Sequence, residues 1–439
     1  MSVSPWDNSV SKAALVKNLA TLDTVSNIVL NVCPSMVGLS VEDLDIKQLG
    51  GGLTNVLYIV EGTEPHPEGT EPHPEGTEPH PEGSSPHPAG SCSSSESSPG
   101  ALTLKCLVRV NGSLDSDILV DREVENRVSA FLSAFGEAPR YFGRFMNGRV
   151  EEFYEGALPL SPADLGASAE QIKTGCKECR GYAWGIAEAM GRLHRVRTGD
   201  GICKTDKGEG QVWGQTTEWV AIVEREMDEG LRKDVEDKIG RGGLGLKGGN
   251  LEGVWEGIKK EWREIEAKLN SPGRDQGSKF GRAVTFTHMD CQSLNILVNK
   301  EWGEWDIRLI DFEYAGHNPR ALDMGNTWCE HARANDLAAN WEEEYPNGPQ
   351  KDFYIRKYME VADPEGWEGI KGRGEDGLFV QEMANEVDRH SLISHLAWVV
   401  WSIIQKKVSV IEFDYLEYAR GRWEGYWWMK EKLEKEGKL

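Results

Sequence analysis

Between Ala283 and Tyr314 the chain alternates short β-prone runs with polar loops, and each loop carries residue types that chemistry can use. Ala283-Val284-Thr285-Phe286-Thr287 would deliver His288 and Asp290 to a loop. Asn295-Ile296-Leu297-Val298 reads as a short strand, and residues 301–304 as a turn around Gly303. Asp306-Ile307-Arg308-Leu309-Ile310 alternates polar and apolar, as a half-buried strand should. Asp311 therefore leaves the end of a strand lying beside the loop that holds Asp290. A strand-turn-strand with polar ends needs no chemistry to be stable, so the weight falls on the spacing of its polar residues.

Asn295 follows Asp290 by five residues and Asp311 follows it by 21. Kinase folds space their catalytic base and two magnesium ligands in this way. On that reading Asp290 accepts the proton of a substrate hydroxyl. Asn295 and Asp311 hold Mg2+ ions that bridge the phosphates of ATP, and a hard cation calls for oxygen ligands.

A nucleotide also needs a phosphate cradle. Leu49-Gly50-Gly51-Gly52-Leu53-Thr54-Asn55 precedes the β-prone run 56–60. Glycines let backbone N–H groups approach phosphate oxygens without interference from a Cβ. It is not a Walker loop, since no Gly-Lys-Ser/Thr follows. Leu104 to Val110 reads as a strand with residues 105, 107 and 109 on one face. Arg109 is the expected phosphate cation and Lys105 a solvated charge. The predicted helix 121–135 offers Glu125, rather than Glu123, as the acidic partner of Arg109.

The motifs GGLTNVLY (51–58), LVRV around Arg109, APRYFGRFMNGRVEEF (138–153), IAEAMGRLH (186–194), THMDCQSLNIL (287–297), LIDFEYAGHNPRALDMGN (309–326) and SHLAWVVWSIIQ (394–405) run through most of the chain. In this order they resemble the choline/ethanolamine kinase family. The resemblance implies Asp290 as base and Asn295 and Asp311 as metal ligands, with Gln292 as a neighbouring ATP-site amide. It implies Gly51, Gly52, Thr54 and Asn55 in the nucleotide loop, Arg109 on phosphate with Glu125 as its helix partner, and Glu152 and Phe153 at the adenine hinge. Tyr314, Glu330, Trp398 and Trp401 match the amino-alcohol pocket. Met289 departs from the Asn usual between His and Asp, and Thr327-Trp328 from a more usual His-Phe.

The pocket also has a physical reading. Carboxylates and aromatic faces hold a cationic amine. Trp398 and Trp401 are three apart and share a helix face, which would serve a pocket or a core equally well. Asp323 and Glu330, seven apart on the helix expected after Pro319, share another, and Asp323 reads as structural. From residue 321 on the pattern is mainly helical, with apolar helical spacing over 377–406 and a Lys/Glu-rich tail over 412–436. The expected fold is α+β and protein-kinase-like. A small nucleotide-binding lobe spans 1–155, and a larger, mainly helical catalytic and substrate lobe spans 156–439.

Glu61-Gly-Thr-Glu-Pro-His-Pro67 repeats at 68–74 and 75–81 and degenerates into a Ser-rich run to Gly100. Proline forbids a helix there and the composition cannot bury a core. Residues 61–100 are therefore expected to be a disordered insert between two strands. Residues 197–212 and 239–250 read as surface loops. A formal net charge of −23 makes nucleic acid and anionic membranes poor partners. No run of about 18 apolar residues marks a membrane span, and the N-terminus lacks the pattern of a secretory signal. The eight cysteines are scattered, and the lone Cys176/Cys179 pair lacks the second pair of a zinc site. The expected setting is the reducing cytoplasm, with a homodimer as the one candidate assembly.

The function expected is phosphorylation of the hydroxyl of ethanolamine, a step towards phosphatidylethanolamine. Choline kinase is the alternative, and a catalytically dead kinase-like binding protein the alternative from another class. Val120-Asp121-Arg122-Glu123 and Tyr314-Ala315-Gly316 resemble ethanolamine kinases more than choline kinases. So does Ala334-Asn335-Asp336, where choline kinases tend to place a further aromatic.

Overall fold

The structure is a computed structural model that describes residues 22–49, 55–63, 103–111, 118–168, 172–173, 181–199, 201–203, 210–240, 253–270, 277–303, 306–332, 339–409 and 412–439. These fall into two compact units. One comprises the residues up to Val110 with Phe142–Phe153, the other Asn111–Tyr141 with Tyr154–Leu439. Residues 111–141, including the helix Arg122–Ala134, thus group with the larger unit.

The first unit is built on strands β1 (Leu44–Leu49), β2 (Asn55–Thr63), β3 (Thr103–Asn111), β4 (Tyr141–Phe145) and β5 (Gly148–Glu152), in the sheet order β1-β2-β3-β5-β4. Alternation along β3 sends Cys106, Val108 and Val110 into a core shared with Val150 and with Val25, Val29 and Val32 of the helix Leu22–Val32. The opposite face of β3 carries Arg109, which stands in register with Arg149 of β5. Gly148 is required at the start of β5, because a Cβ there would lie 2.1 Å from the carbonyl oxygen of Arg109. The repeat tract begins later than its composition suggests. Glu61, Gly62 and Thr63 continue β2, with Gly62 opposite Leu44. No proline interrupts the strand before Pro65, and residues 64–102 lie outside the described residues.

The core of the second unit is the 33-residue helix Asp376–Val408, which packs against the helices Tyr415–Lys435 and Arg320–His331. It is buried continuously from Glu386 to Gln405, as expected of a helix surrounded by others. Trp328 is fully buried, edge-on to Tyr345 and Tyr354. The Thr327-Trp328 departure is therefore a matter of core packing.

Two small sheets place the loops. β7 (Val284–Thr287) pairs antiparallel with β10 (Gly316–Pro319). β6 (Leu158–Pro159), β8 (Ile296–Val298) and β9 (Ile307–Leu309) form the other. The strand, loop, strand, turn, strand order expected between residues 283 and 311 is what the chain forms. The helix Gln211–Glu226 starts inside the segment expected to be a loop over 197–212, its first turn anchored by Val212 N–H donating to Asn318 Oδ1 at 2.8 Å.

Candidate active site

The loop after β7 is held from beneath by one buried carboxylate. Asp323, on the first turn of the helix Arg320–His331, has no exposed surface. Its Oδ2 accepts from the backbone N–H of His288 at 2.8 Å and from His194 Nε2 at 3.0 Å, and its Oδ1 from the N–H of Met289 at 2.8 Å. A carboxylate can accept all three at once. Burial alone would raise its pKa, but the hydrogen bonds from His194 and from the His288 N–H win and hold it below its ordinary value. His194 in turn receives the Tyr358 hydroxyl at Nδ1, 2.7 Å away. Met289 has φ +67° and Asp311 φ +66°, a left-handed conformation that is uncommon for non-glycine residues and clusters at functional sites. At Met289 the Asp323 contact is what opposes relaxation.

His288 fixes the other end of the loop. Its Nε2–H donates to the carbonyl of Ile310 at 2.9 Å, which leaves Nδ1 to accept from the N–H of Asp290 at 3.2 Å. Burial lowers the pKa of the ring and keeps it neutral. Asn295 donates through Nδ2 to the Asp290 carbonyl at 2.9 Å and to Asp290 Oδ2 at 2.8 Å. Asp290 Oδ1 and Asn295 Oδ1 take no part in this contact. Burial and then the charges of Glu330, Asp311 and Glu313 raise the pKa of Asp290 well above the carboxylate range, against the opposing bond from Asn295.

A carboxylate group lies beside this loop. Glu125, Asp311 and Glu313 each offer an oxygen within 4.8 Å of the others. Arg122 Nη1 donates to Glu125 at 2.8 Å and to Glu313 at 3.2 Å. Oxygen-only donors at this spacing fit a hard divalent cation.

An aromatic cluster stands in the same unit. Trp401 Nε1 donates to the Tyr314 hydroxyl at 2.8 Å, and Trp398 Nε1 to Asn326 Oδ1 at 2.7 Å. With both indole N–H groups satisfied, the rings meet edge to face. Tyr314 and Trp398 are 5.3 Å apart at 76°, and Trp398 and Trp401 5.3 Å apart at 77°. Trp219 adds its edge to Tyr314, and Tyr415 and Tyr418 flank Trp401. Glu330 gives Oε1 to the buried Arg422 at 2.8 Å.

The family model described as choline/ethanolamine kinase matches residues 46–427. The chain belongs to the choline/ethanolamine kinase family. Its curated relatives include a probable choline kinase 2 from Arabidopsis thaliana, 29% identical over 343 residues covering 75% of this chain and 79% of the relative. They also include ethanolamine kinase 2 from Rattus norvegicus, 28% identical over 330 residues covering 74% and 69%. A solved choline kinase from Cryptosporidium parvum shares the fold with a TM-score of 0.64 at 22% identity, over 95% of this chain and 98% of that one. A Plasmodium vivax ethanolamine kinase does so with 0.62 at 18%, over 92% and 86%. The fold is thus the two-lobed, protein-kinase-like α+β fold expected from the motifs.

Within this kinase, Asp290, Asn295, Asp311 and Tyr314 share the second unit with Glu125, Glu330, Trp398 and Trp401. Gln292 caps the short turn Ser293–Asn295, its Oε1 accepting from Leu294 N–H at 3.2 Å. In the first unit, Arg109 is buried with Nε 3.4 Å from Glu151 Oε1, while Arg149 Nε lies 2.6 Å from Oε2. Lys105 is paired with Glu61. Asn55 opens β2 and is buried, Glu152 closes β5, and half-buried Phe153 follows it. Gly51, Gly52 and Thr54 lie outside the described residues, as do Cys176, Cys179 and Ala334-Asn335-Asp336. Sequence reasoning missed Glu313, Arg122, Glu151, Arg149, Trp219 and Arg422. Glu313 alone had a usable signal, two residues after Asp311. Among the described residues no helix is long and apolar enough to cross a membrane.

Proposed function

We propose that the protein transfers the γ-phosphoryl group of ATP to the hydroxyl of an amino alcohol, with ethanolamine preferred over choline. The observation that carries this reading is the company of Asp290: an orienting Asn295, a carboxylate group, and an aromatic wall with Glu330, all in one unit. In this reading Asp290 Oδ1 takes the hydroxyl proton while Asn295 holds Oδ2. Tyr314, Trp398 and Trp401 offer ring faces to the ammonium, and Glu330 offers the oxygen that Arg422 does not take.

Asp311 and Asn295 are the metal ligands of this proposal, with Glu125 and Glu313 beside them. Bound Mg2+ would neutralise phosphate charge and offset the carboxylates that raise Asp290, leaving the base ionised. Gly51, Gly52, Thr54, Asn55, Arg109, Glu152, Phe153 and Gln292 are proposed to bind ATP, as the resemblance implies. A nucleotide lobe over 1–155, a substrate lobe over 156–439 and a cytoplasmic location complete the proposal.

The preference rests on donor chemistry. Ethanolamine brings three N–H donors that carboxylate oxygens reward, whereas choline brings none and depends on a full aromatic cage. A panel of amines assayed with purified protein, ATP and Mg2+ tests it. The expected kcat/KM for ethanolamine exceeds that for choline by at least about tenfold, roughly 1.4 kcal/mol. Equal constants or a preference for choline would assign choline kinase instead. Absence of turnover with every amine would point to a binding protein.

A further inference from the structure

Arg422 is a fully buried cation 92 residues away in sequence from the carboxylate it pairs with. It stands on the helix Tyr415–Lys435 and reaches two elements at once. Nη1 donates to Glu330 Oε1 at 2.8 Å, on the helix Arg320–His331. Nη2 donates to Ser394 Oγ at 2.6 Å, on the helix Asp376–Val408. Ser394 has one proton, and passes it to Asn326 Oδ1 at 2.7 Å. The same Oδ1 receives Trp398 Nε1 at 2.7 Å. Since an indole N–H can only donate, the Asn326 amide is fixed with its oxygen inward. Arg422 Nε makes no hydrogen bond among the described residues, so the guanidinium is anchored through its two terminal nitrogens.

We propose that Arg422 is the positioning residue of the amino-alcohol pocket, presenting the Glu330 carboxylate and, through Ser394 and Asn326, the Trp398 indole. This rests on the assignment of Glu330 and Trp398 to that pocket. The rigid fork of arginine explains the residue type. A lysine ammonium is a point charge that can meet Glu330 or Ser394 without holding both in one plane. Arg422 takes Oε1, which leaves Oε2 for the ligand, and the guanidinium offsets the carboxylate's charge. A lone carboxylate there would add its full repulsion to Asp290, Asp311 and Glu313. Arg422 itself touches neither substrate nor the reacting oxygen, so its effect must pass through Glu330 and Trp398.

The test is a double-mutant cycle on the full chain with Arg422→Lys and Glu330→Gln, reading KM for ethanolamine and for ATP. Each single change is expected to raise the amine KM about tenfold, with the ATP KM held within about twofold. The double variant should exceed Glu330→Gln only by the part carried through Trp398 and fall well short of the product of the two effects, because residues that share a path are not additive. A product of the two effects, near a hundredfold, would overturn the proposal, as would an unchanged amine KM in Arg422→Lys. If lysine at 422 prevents folding, Ser394→Ala reads the arm through Asn326 to Trp398 without removing the charge. An amine KM raised several-fold with the ATP KM unmoved supports the proposal, and an unmoved amine KM sinks it. Wild-type protein that phosphorylates no amine removes the pocket assignment and this proposal together. Wild-type turnover with insensitive variants removes this proposal alone.

Discussion

Replacing Asp323 by Asn changes one oxygen to an NH2 group in a site with no exposed surface. In the native loop, Oδ2 accepts from His288 N–H and His194 Nε2, and Oδ1 from Met289 N–H. If the amide keeps its oxygen in the Oδ2 position, two bonds survive as neutral ones, and the NH2 faces the Met289 N–H. The opposite orientation loses both bonds at Oδ2. The milder outcome removes one charge-assisted bond, worth about 1.5–3 kcal/mol, and leaves two donors facing each other. A loss of about 3 kcal/mol in folding free energy follows. Met289 then has no partner to oppose relaxation from φ +67°, and Asp290 moves with it. Positioning of this kind supports a kcat decrease of about a hundredfold, since misplacement of about 1 Å has that effect. Urea unfolding and steady-state kinetics on Asp323→Asn read both quantities. A variant with wild-type stability and a kcat within about twofold of wild type would refute the role given to this carboxylate.

The base itself should behave differently from its support. Asp290→Ala is expected to lower kcat by about 10²–10⁴ while leaving the melting temperature unchanged or higher, because a carboxylate repelled by Glu330, Asp311 and Glu313 has gone; a lowered melting temperature with kcat intact would contradict this. Asp311→Ala should abolish Mg2+-dependent turnover, and a Mg2+ titration that still saturates at wild-type kcat would remove its ligand role. Burial lowers the pKa of His331 to about 3, whereas the unfolded chain titrates near 6.5. The unfolded state therefore binds the extra proton between those values, and stability is complete above about pH 6.5 and falls as pH drops, by up to about 1.4 kcal/mol per unit. Between about pH 7 and pH 5, wild type should lose about 2 kcal/mol more than His331→Gln in urea unfolding, and equal losses would show that this ring is not the titrating group.

The loops that carry Asp290, Asn295 and Asp311 were legible because local rules specify them. β-Prone runs marked β7 and β8, period-two alternation marked β9, and five- and 21-residue spacings set the polar groups between them. Trp398 and Trp401 were legible as a shared face because three residues nearly complete a helical turn, and the two rings pack in one cluster with Tyr314. What stayed hidden depends on partners far apart in sequence. Arg122 meets Glu313 across 191 positions, and Arg422 meets Glu330 across 92. No local pattern distinguishes either arginine from a solvated surface charge. Glu151 is closer to being readable, since it lies in the quoted motif beside Glu152. Which of two adjacent acids faces Arg109 depends on the register of β3 on β5, which a sequence does not print. The first repeat was placed inside the insert on composition, and its opening Glu-Gly-Thr nonetheless extends β2 because three residues without proline are enough to keep pairing.

Phosphorus NMR of a reaction containing purified protein, ATP, Mg2+ and ethanolamine tests the central claim most directly. The account predicts a phosphate monoester resonance that matches authentic phosphoethanolamine and grows mole for mole with ADP, and that is absent from the Asp290→Ala reaction. ADP accompanied only by inorganic phosphate, or ester formation undiminished in Asp290→Ala, would contradict it.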